Sequence, residues 1–176
     1  MKPTIRRFDQ AVHSSVGRLG PKWRLFMEFF TLLGQPPFTV GIAAAVLGYG
    51  AALEKPHYVF AGSVAIGTLI LTSLLKIFLR RSRPSNDYVR NMLFQTFSFP
   101  SGHAAGALVS YGLAAFVVAN KWPELAIAAW VVVLLVSFFV GISRVYLGAH
   151  YASDVVGGWI VGAAGLLVII LIEVQA

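Results

Sequence analysis

Five apolar stretches, roughly residues 36–53, 58–79, 102–119, 124–142 and 153–173, constrain this chain more than anything else in it. A hydrocarbon core about 30 Å thick needs about 20 largely apolar helical residues to cross it, and each stretch meets or approaches that length. The sequence therefore predicts an all-α, polytopic membrane helix bundle of about five transmembrane helices. Composition points the same way: 57% of residues are hydrophobic and only 12% are charged, against about 25% charged in a soluble domain. With 176 residues there is room for one domain, residues 1–176. Cysteine is absent, which excludes disulfides, thiolate metal sites and cysteine nucleophiles.

Ahead of the first stretch, Ile5, Phe8, Val12, Val16 and Leu19 recur at helical spacing with Arg6, Arg7 and Arg18 beside them. That pattern predicts an N-terminal amphipathic interfacial helix over residues 4–19, a frayed basic tail being the alternative. Residues 21–33 are apolar but short and contain Glu28, and Gly34-Gln35-Pro36-Pro37 then breaks any helix. This piece is read as interfacial or re-entrant. The net charge of +7 is assigned to anionic membrane lipids and a phosphate substrate; no nucleic acid partner is expected, because no soluble basic face exists to carry one. Gly158 and Gly162 stand in a G-x-x-x-G spacing that permits close helix approach. Packing within the chain is the simpler explanation and a homodimer face the sharper one.

Three polar clusters interrupt the apolar background: Lys76 to Arg83-Pro84, Pro100-Ser101-Gly102-His103, and Ser143-Arg144 continuing to His150 and Asp154. Counting crossings brings all three to one membrane face, the same face as the amino terminus. Lys76 and Arg83 are seven apart, about two helical turns, so they can share a face, with Pro84 ending the helix. Arginine offers a planar fork to phosphate oxygens and lysine a compact charge. Snorkelling to the headgroups is the other use of such cations, and it suits Arg80 and Arg81 well. Ser101 can cap a helix whose first amides face an anion, and Gly102 lets a phosphate approach the backbone. His103 would sit beside that phosphate with a pKa suited to proton transfer; capping plus an interfacial histidine is the plainer account.

His150 and Asp154 are spaced i, i+4 and share a face if that segment is helical. The carboxylate would then fix one imidazole nitrogen and leave the other free as a nucleophile. A structural ion pair at a helix start is the competing account. Two histidines and an aspartate could hold zinc, but Lys76, Arg83 and Arg144 repel a metal and attract an anion, so neither a metal nor another cofactor is expected. Tyr88, Met92, Phe94, Phe97 and Phe99 decorate the long 80–101 segment; they fit an interfacial aromatic belt, the entry of a lipid tail being the alternative.

In order and spacing, the clusters resemble the three-part pattern of the type 2 phosphatidic acid phosphatase family. That pattern runs Lys, six residues, Arg-Pro; Pro-Ser-Gly-His; Ser-Arg, five residues, His, three residues, Asp. Every element is present between Lys76 and Asp154, the motif core of the chain. The resemblance implies a multi-pass membrane phosphatase that needs no metal. His150 would attack phosphorus, oriented by Asp154, and His103 would protonate the leaving oxygen and then assist water. Lys76, Arg83, Ser101, Gly102 and Arg144 would hold the phosphate oxygens. The family also includes soluble vanadium-dependent haloperoxidases, from which the apolar spans separate this chain.

The expected substrate is a lipid phosphate, with phosphatidate, phosphatidylglycerol phosphate and polyprenyl phosphates or diphosphates all open. A non-catalytic anionic-lipid binder or transporter using the same cations is the rival reading. The expected location is the cell membrane. Outside the site, Lys2, Arg6, Arg7, Arg18, Lys22, Arg24, Arg80, Arg81 and Arg90 fall on the site's face, against Lys55 and Lys121 on the other. The positive-inside rule places that face in the cytoplasm, whereas many bacterial members of the family work on the outer face, and both remain open.

Overall fold

The computed structural model describes residues 3–92 and 96–173; of the positions singled out above, Lys2 and Phe94 lie outside them. The helices are α1 (Pro3–Gly17), α2 (Arg24–Leu33), α3 (Pro36–Ala52), α4 (Pro56–Leu79), the short α5 (Asp87–Arg90), α6 (Gly102–Lys121), α7 (Ala126–Tyr146) and α8 (Ala152–Glu173), with no strand among the described residues. Prolines open α3 and α4, where a missing N–H costs nothing because the first-turn donors have no intrahelical partner. Five helical runs are long and apolar enough to cross a membrane. Their outer faces are greasy: Phe78 is 81% and Ile127 82% exposed, which suits lipid and not water.

The first of those runs is longer than the sequence predicts, at 32 residues from Pro21 to Ala52. It is divided where the break is expected. Gln35 turns extended (ψ 151°) and Pro36 starts α3. Upstream of the break α2 lies against α7, with the Phe26 and Phe30 rings 5.3 and 4.9 Å from Phe139 and Thr31 Oγ1 2.7 Å from Ser143 Oγ. Gly34 then rests on Val140 and on His103 of α6. These contacts hold α2 beside α7, and α3 continues past the break for 17 residues. Tyr111 Oη donates to the Leu33 carbonyl at 2.9 Å, satisfying an acceptor that the end of α2 leaves open.

The core between α3, α4, α6 and α8 is built from Ala43, Ala61, Ala65, Val109, Leu113, Phe116 and Ile169. Small residues set how closely these helices pack. Gly158 faces Ala104 and the Ser101 carbonyl, and Gly162 faces Ala105 and Leu108, so the G-x-x-x-G face of α8 is used against α6 of the same chain. A Cβ on Gly162 would stand 2.7 Å from the Ala105 oxygen. Gly162→Leu is therefore expected to push α8 off α6 and to cost at least about 1–3 kcal/mol, read as a lowered thermal midpoint in detergent.

The amino-terminal amphipathic helix is present as α1, and it docks against α7 and α8. Val16 is buried against Val145, Ala152 and Val155, flanked by Val12 and Leu19, and Tyr146 Oη donates to the Gly20 carbonyl at 2.6 Å. Ile5 and Phe8 stay exposed on the side left to the interface. Asp9 joins the inward face and is itself buried.

Candidate active site

The ends of α2, α3, α4, α6 and α7, with the 80–101 segment and the turn before α8, enclose a cavity of about 690 Å³. Lys76, Arg83, His103, Arg144 and His150 line its polar end, with Gly102, Tyr88 and Met92; Pro36, Pro37, Val40, Leu69 and Thr72 line the rest. Convergence of the three clusters, expected from crossing number alone, is thus a geometric fact. Ser101 and Asp154 stand one layer behind the wall, both with no exposed surface.

Lys76 and Arg83 reach this cavity by a different route from the shared helix face read in the sequence. Chain direction changes at Arg80, whose left-handed backbone (φ 46°) ends α4 at Leu79. Arg83 cannot continue a helix in any case, since the ring of Pro84 disfavours the α region for the residue before it. Its guanidinium is instead tied to the loop: Nε donates to the Thr96 carbonyl at 2.7 Å, Nη2 to Thr96 Oγ1 at 3.1 Å, and Nη1 to the Ala149 carbonyl at 3.0 Å. Lys76 Nζ donates to the Phe97 carbonyl at 3.2 Å. The 80–101 segment is anchored at its far side by Asn86, which caps α5 and donates to the Gly148 carbonyl at 2.7 Å. Gly148 (φ +66°) occupies a left-handed position that glycine takes at little cost.

That turn delivers the nucleophile candidate. The amides of Ala149 and His150 both donate to the Arg144 carbonyl, at 2.9 and 3.2 Å, folding the chain back under the end of α7. His150 therefore precedes α8 and is not part of its helix. Nε2 lies 3.2 Å from Arg83 Nη1. A guanidinium can only donate, so Nε2 is the unprotonated nitrogen and the proton sits on Nδ1, 3.5 Å from Asp154 Oδ2. Asp154 takes a proton donor on that same oxygen from the Tyr151 amide at 2.9 Å and from Ser98 Oγ. The amide contact is one half of a capping box for α8. Nδ1 of His150 faces Asp154 without a hydrogen bond to it, and the capping turn, not the common helix face read from the i, i+4 spacing, brings the two together.

In the second cluster Ser101 is the N-cap of α6, as its residue type suggests, and Gly102 and His103 line the cavity at the helix start. Ser101 Oγ accepts from the Ala104 amide and its own amide donates to the Asp154 carbonyl at 2.9 Å. Its side chain is turned to the helix, so it does not line the cavity. Arg144 is 1% exposed, donates from Nη1 to Thr31 Oγ1 and Tyr88 Oη at 3.3 Å each, and leaves Nε without a partner among the described residues.

Charge is the telling feature. Among the described residues, none of Lys76, Arg83 and Arg144 has a carboxylate within 4.0 Å. Partly or wholly buried cations without counter-charge are costly, and an anion in the cavity would remove that cost. Burial first, then the Arg144 charge, holds Arg83 below its ordinary pKa. Burial and then Arg144, Arg83 and Lys76 push His150 well below its ordinary 6.5, so the imidazole is neutral at neutral pH. In the unfolded chain the same side chain gains its proton near 6.5, and in the fold only well below it. Stability is therefore lost as pH falls through that unfolded-state value. The thermal midpoint of the wild type should fall more steeply between about pH 7 and 5 than that of His150→Gln, which lacks the proton; parallel slopes would contradict the assignment.

Two readings of the sequence are corrected here. Arg81 does not snorkel: its side chain is 19% exposed and paired with both Asp9 and Asp154. Ser101, given to the phosphate oxygens by the resemblance, spends its hydroxyl on the cap of α6 and stays out of the cavity lining. Tyr88 and Met92 line the cavity, which favours the alternative to an aromatic belt. Asp9, Ser98, Thr31 and Ser153 escaped the sequence reading altogether. Only Asp9 carried a signal, as a lone carboxylate in register with Val12 and Val16 on the apolar stripe of a basic helix.

Residues 57–175 match the PAP2 superfamily. Phosphatidylglycerophosphatase B of Bacillus subtilis is 35% identical over 107 residues, 59% of this chain and 50% of that protein, so the match spans half of that relative's length. Lipid A 4'-phosphatase of Bacteroides thetaiotaomicron is 27% identical over 173 residues, 90% of this chain and 70% of that protein. A crystal structure of a transmembrane PAP2 type phosphatidylglycerolphosphate phosphatase from Bacillus subtilis superposes with a TM-score of 0.81 at 26% identity, covering 99% of this chain and 88% of that one.

Proposed function

The chain belongs to the PAP2 superfamily, and from that premise we propose that it is an integral membrane phosphatase. It acts as one domain over residues 1–176, and hydrolyses a lipid phosphomonoester or diphosphate through a phosphohistidine. The observation that carries this reading is the set of uncompensated cations, Lys76, Arg83 and Arg144, gathered around an unprotonated His150 Nε2. A phosphate that occupies the cavity replaces the missing counter-charge. A phosphate that displaces the 3.2 Å contact between Arg83 Nη1 and His150 Nε2 takes that N–H for its own oxygen and leaves the Nε2 lone pair facing phosphorus.

In the first step the Nε2–P bond forms, the P–O bond to the lipid breaks, and the leaving oxygen takes a proton from His103. The positive charge gained by the His150 ring is met by Asp154 across Nδ1. Water then attacks phosphorus, gives a proton to His103, and the N–P bond breaks to release inorganic phosphate. Lys76, Arg83, Arg144 and the first amides of α6 at Gly102 and His103 stabilise the charge spread over the phosphoryl oxygens. Those cations supply the electrostatic stabilisation that a metal gives in other phosphatases, so no metal is needed. Ser101 contributes by capping α6 and fixing where those amides point. The apolar wall of Pro36, Pro37, Val40, Leu69 and Thr72 accepts the first carbons of the lipid, while its chains extend into the bilayer.

The deciding experiment is phosphate release from phosphatidate, phosphatidylglycerol phosphate, and polyprenyl phosphate and diphosphate in detergent, with chelator and with vanadate. Activity on at least one lipid that survives chelator and is inhibited by vanadate is expected. Loss of all activity in chelator would overturn the metal-free mechanism. Tight lipid binding with no release from any of them would favour the non-catalytic binder.

A further inference from the structure

The Asp9–Arg81 pair lies outside the three clusters, yet it ends on Asp154. Asp9 is 4% exposed, and both of its oxygens are used. Oδ1 accepts the Ser153 amide at 2.8 Å, while Oδ2 accepts Ser153 Oγ at 2.9 Å and Arg81 Nη2 at 2.8 Å. Arg81 in turn donates from Nη1 to Asp154 Oδ1 at 2.6 Å and to Ser153 Oγ at 2.7 Å, and its guanidinium lies 4.3 Å from the Tyr151 ring centre. One guanidinium thus joins a carboxylate of α1 to the carboxylate that faces His150, through different nitrogens.

That division of labour matters for Asp154. A guanidinium free of other partners grips a carboxylate with two parallel bonds. Here Nη2 donates to Asp9 and Nη1 to Asp154 Oδ1, while Oδ2, which accepts Ser98 Oγ and the Tyr151 amide, faces Nδ1 of His150. Without Asp9 the guanidinium would shift against Oδ1, and with it the carboxylate that Ser98 and the Tyr151 amide hold on Oδ2. Anchoring α1 does not require this arrangement, since Val12, Val16, Leu19 and the Tyr146–Gly20 bond already dock it. A buried ion pair is a poor way to gain stability, and a precise way to fix an orientation.

We propose that Asp9 is a positioning residue for phosphoryl transfer: through Arg81 it sets Asp154, and through Asp154 the ring of His150, so that the amino-terminal helix is a working part of the site. This rests on the phosphatase reading above. Asp9→Asn, Arg81→Gln and the double variant are compared with wild type on whichever lipid of the panel wild type turns over fastest. Asp9→Asn should lower kcat about 10- to 100-fold, with KM and the inhibition constant for vanadate within about twofold, because Lys76, Arg83 and Arg144 are untouched. In the Arg81→Gln background the same change should add less than about twofold, since its route to Asp154 is gone.

A kcat within twofold of wild type in Asp9→Asn, or losses that multiply in the double variant, would overturn the inference. So would a kcat loss matched by equal weakening of vanadate, which marks general disorder of the site. Should Asp9→Asn not give a monodisperse protein, Ser153→Ala is read in its place: it removes a ligand of both Asp9 and Arg81 while keeping every charge. Its kcat is expected to fall with vanadate inhibition intact, and an unchanged kcat overturns the inference. A wild type that releases phosphate from no lipid overturns the phosphatase reading itself; an active wild type indifferent to Asp9 overturns only the role of α1.

Discussion

Replacement of His150 by alanine is expected to reduce phosphate release by about 10⁴-fold or more, with binding of the lipid and of vanadate nearly unchanged. Nε2 of His150 carries an unprotonated lone pair beside Arg83, on a ring that is neutral at neutral pH. The cations beside it donate but cannot attack, and removal of a nucleophile leaves only the catalysis that charge and binding supply. Lys76, Arg83 and Arg144 remain in the variant, so the anion still has its site and the loss falls on kcat. Wild type quenched without acid should carry an acid-labile phosphate on nitrogen, and the alanine variant none. Activity above about 1% of wild type in His150→Ala would remove His150 from the nucleophile's place, whatever lipid is used.

Much of this site was legible in the sequence because its residues are constrained by chemistry at fixed spacings. Lys76, Arg83, Gly102, His103, Arg144 and His150 line one cavity, and membrane topology gives the reason: alternate crossings return to the same face. The helical break at Gly34-Gln35-Pro36-Pro37 was legible for a local reason, the backbone limits of proline. What escaped was set by contacts between distant segments. Arg81 looks like a second snorkelling arginine next to Arg80, and only the docking of α1 and α8 supplies the two carboxylates that bury it. Tyr88 reads as a belt aromatic until the fold of 80–92 brings its hydroxyl to Arg144. The route of Arg83 was misread because a seven-residue spacing suggests a helix, while one left-handed residue at Arg80 is enough to end it. Position, in each case, came from a partner more than fifty residues away or from a single backbone angle.

Arg144→Met should separate stability from catalysis in the opposite sense to an ordinary core substitution. The guanidinium is 1% exposed, has no carboxylate partner, and leaves Nε unsatisfied among the described residues. Taking away a buried charge of this kind removes a desolvation penalty, and methionine fills much of the same volume with an apolar chain. Against that stand the contacts to Thr31 Oγ1 and Tyr88 Oη, both long at 3.3 Å and so below the roughly 1.5–3 kcal/mol of a good bond to a charged group, and a distant stacking on the Tyr88 ring at 5.7 Å. The thermal midpoint in detergent is therefore expected to hold or rise. Activity should fall by about 10³-fold or more, because a buried arginine aimed at the phosphoryl oxygens acts where the dielectric is low and needs no reorganisation. Vanadate gives the second readout. A ligand at 100 times its dissociation constant adds about 2.7 kcal/mol to the folded state, so wild type should gain thermal stability from vanadate and Arg144→Met should gain little. A variant that unfolds earlier than wild type while keeping its vanadate stabilisation would show that Arg144 is a structural residue, and that the anion is held by Lys76 and Arg83 alone.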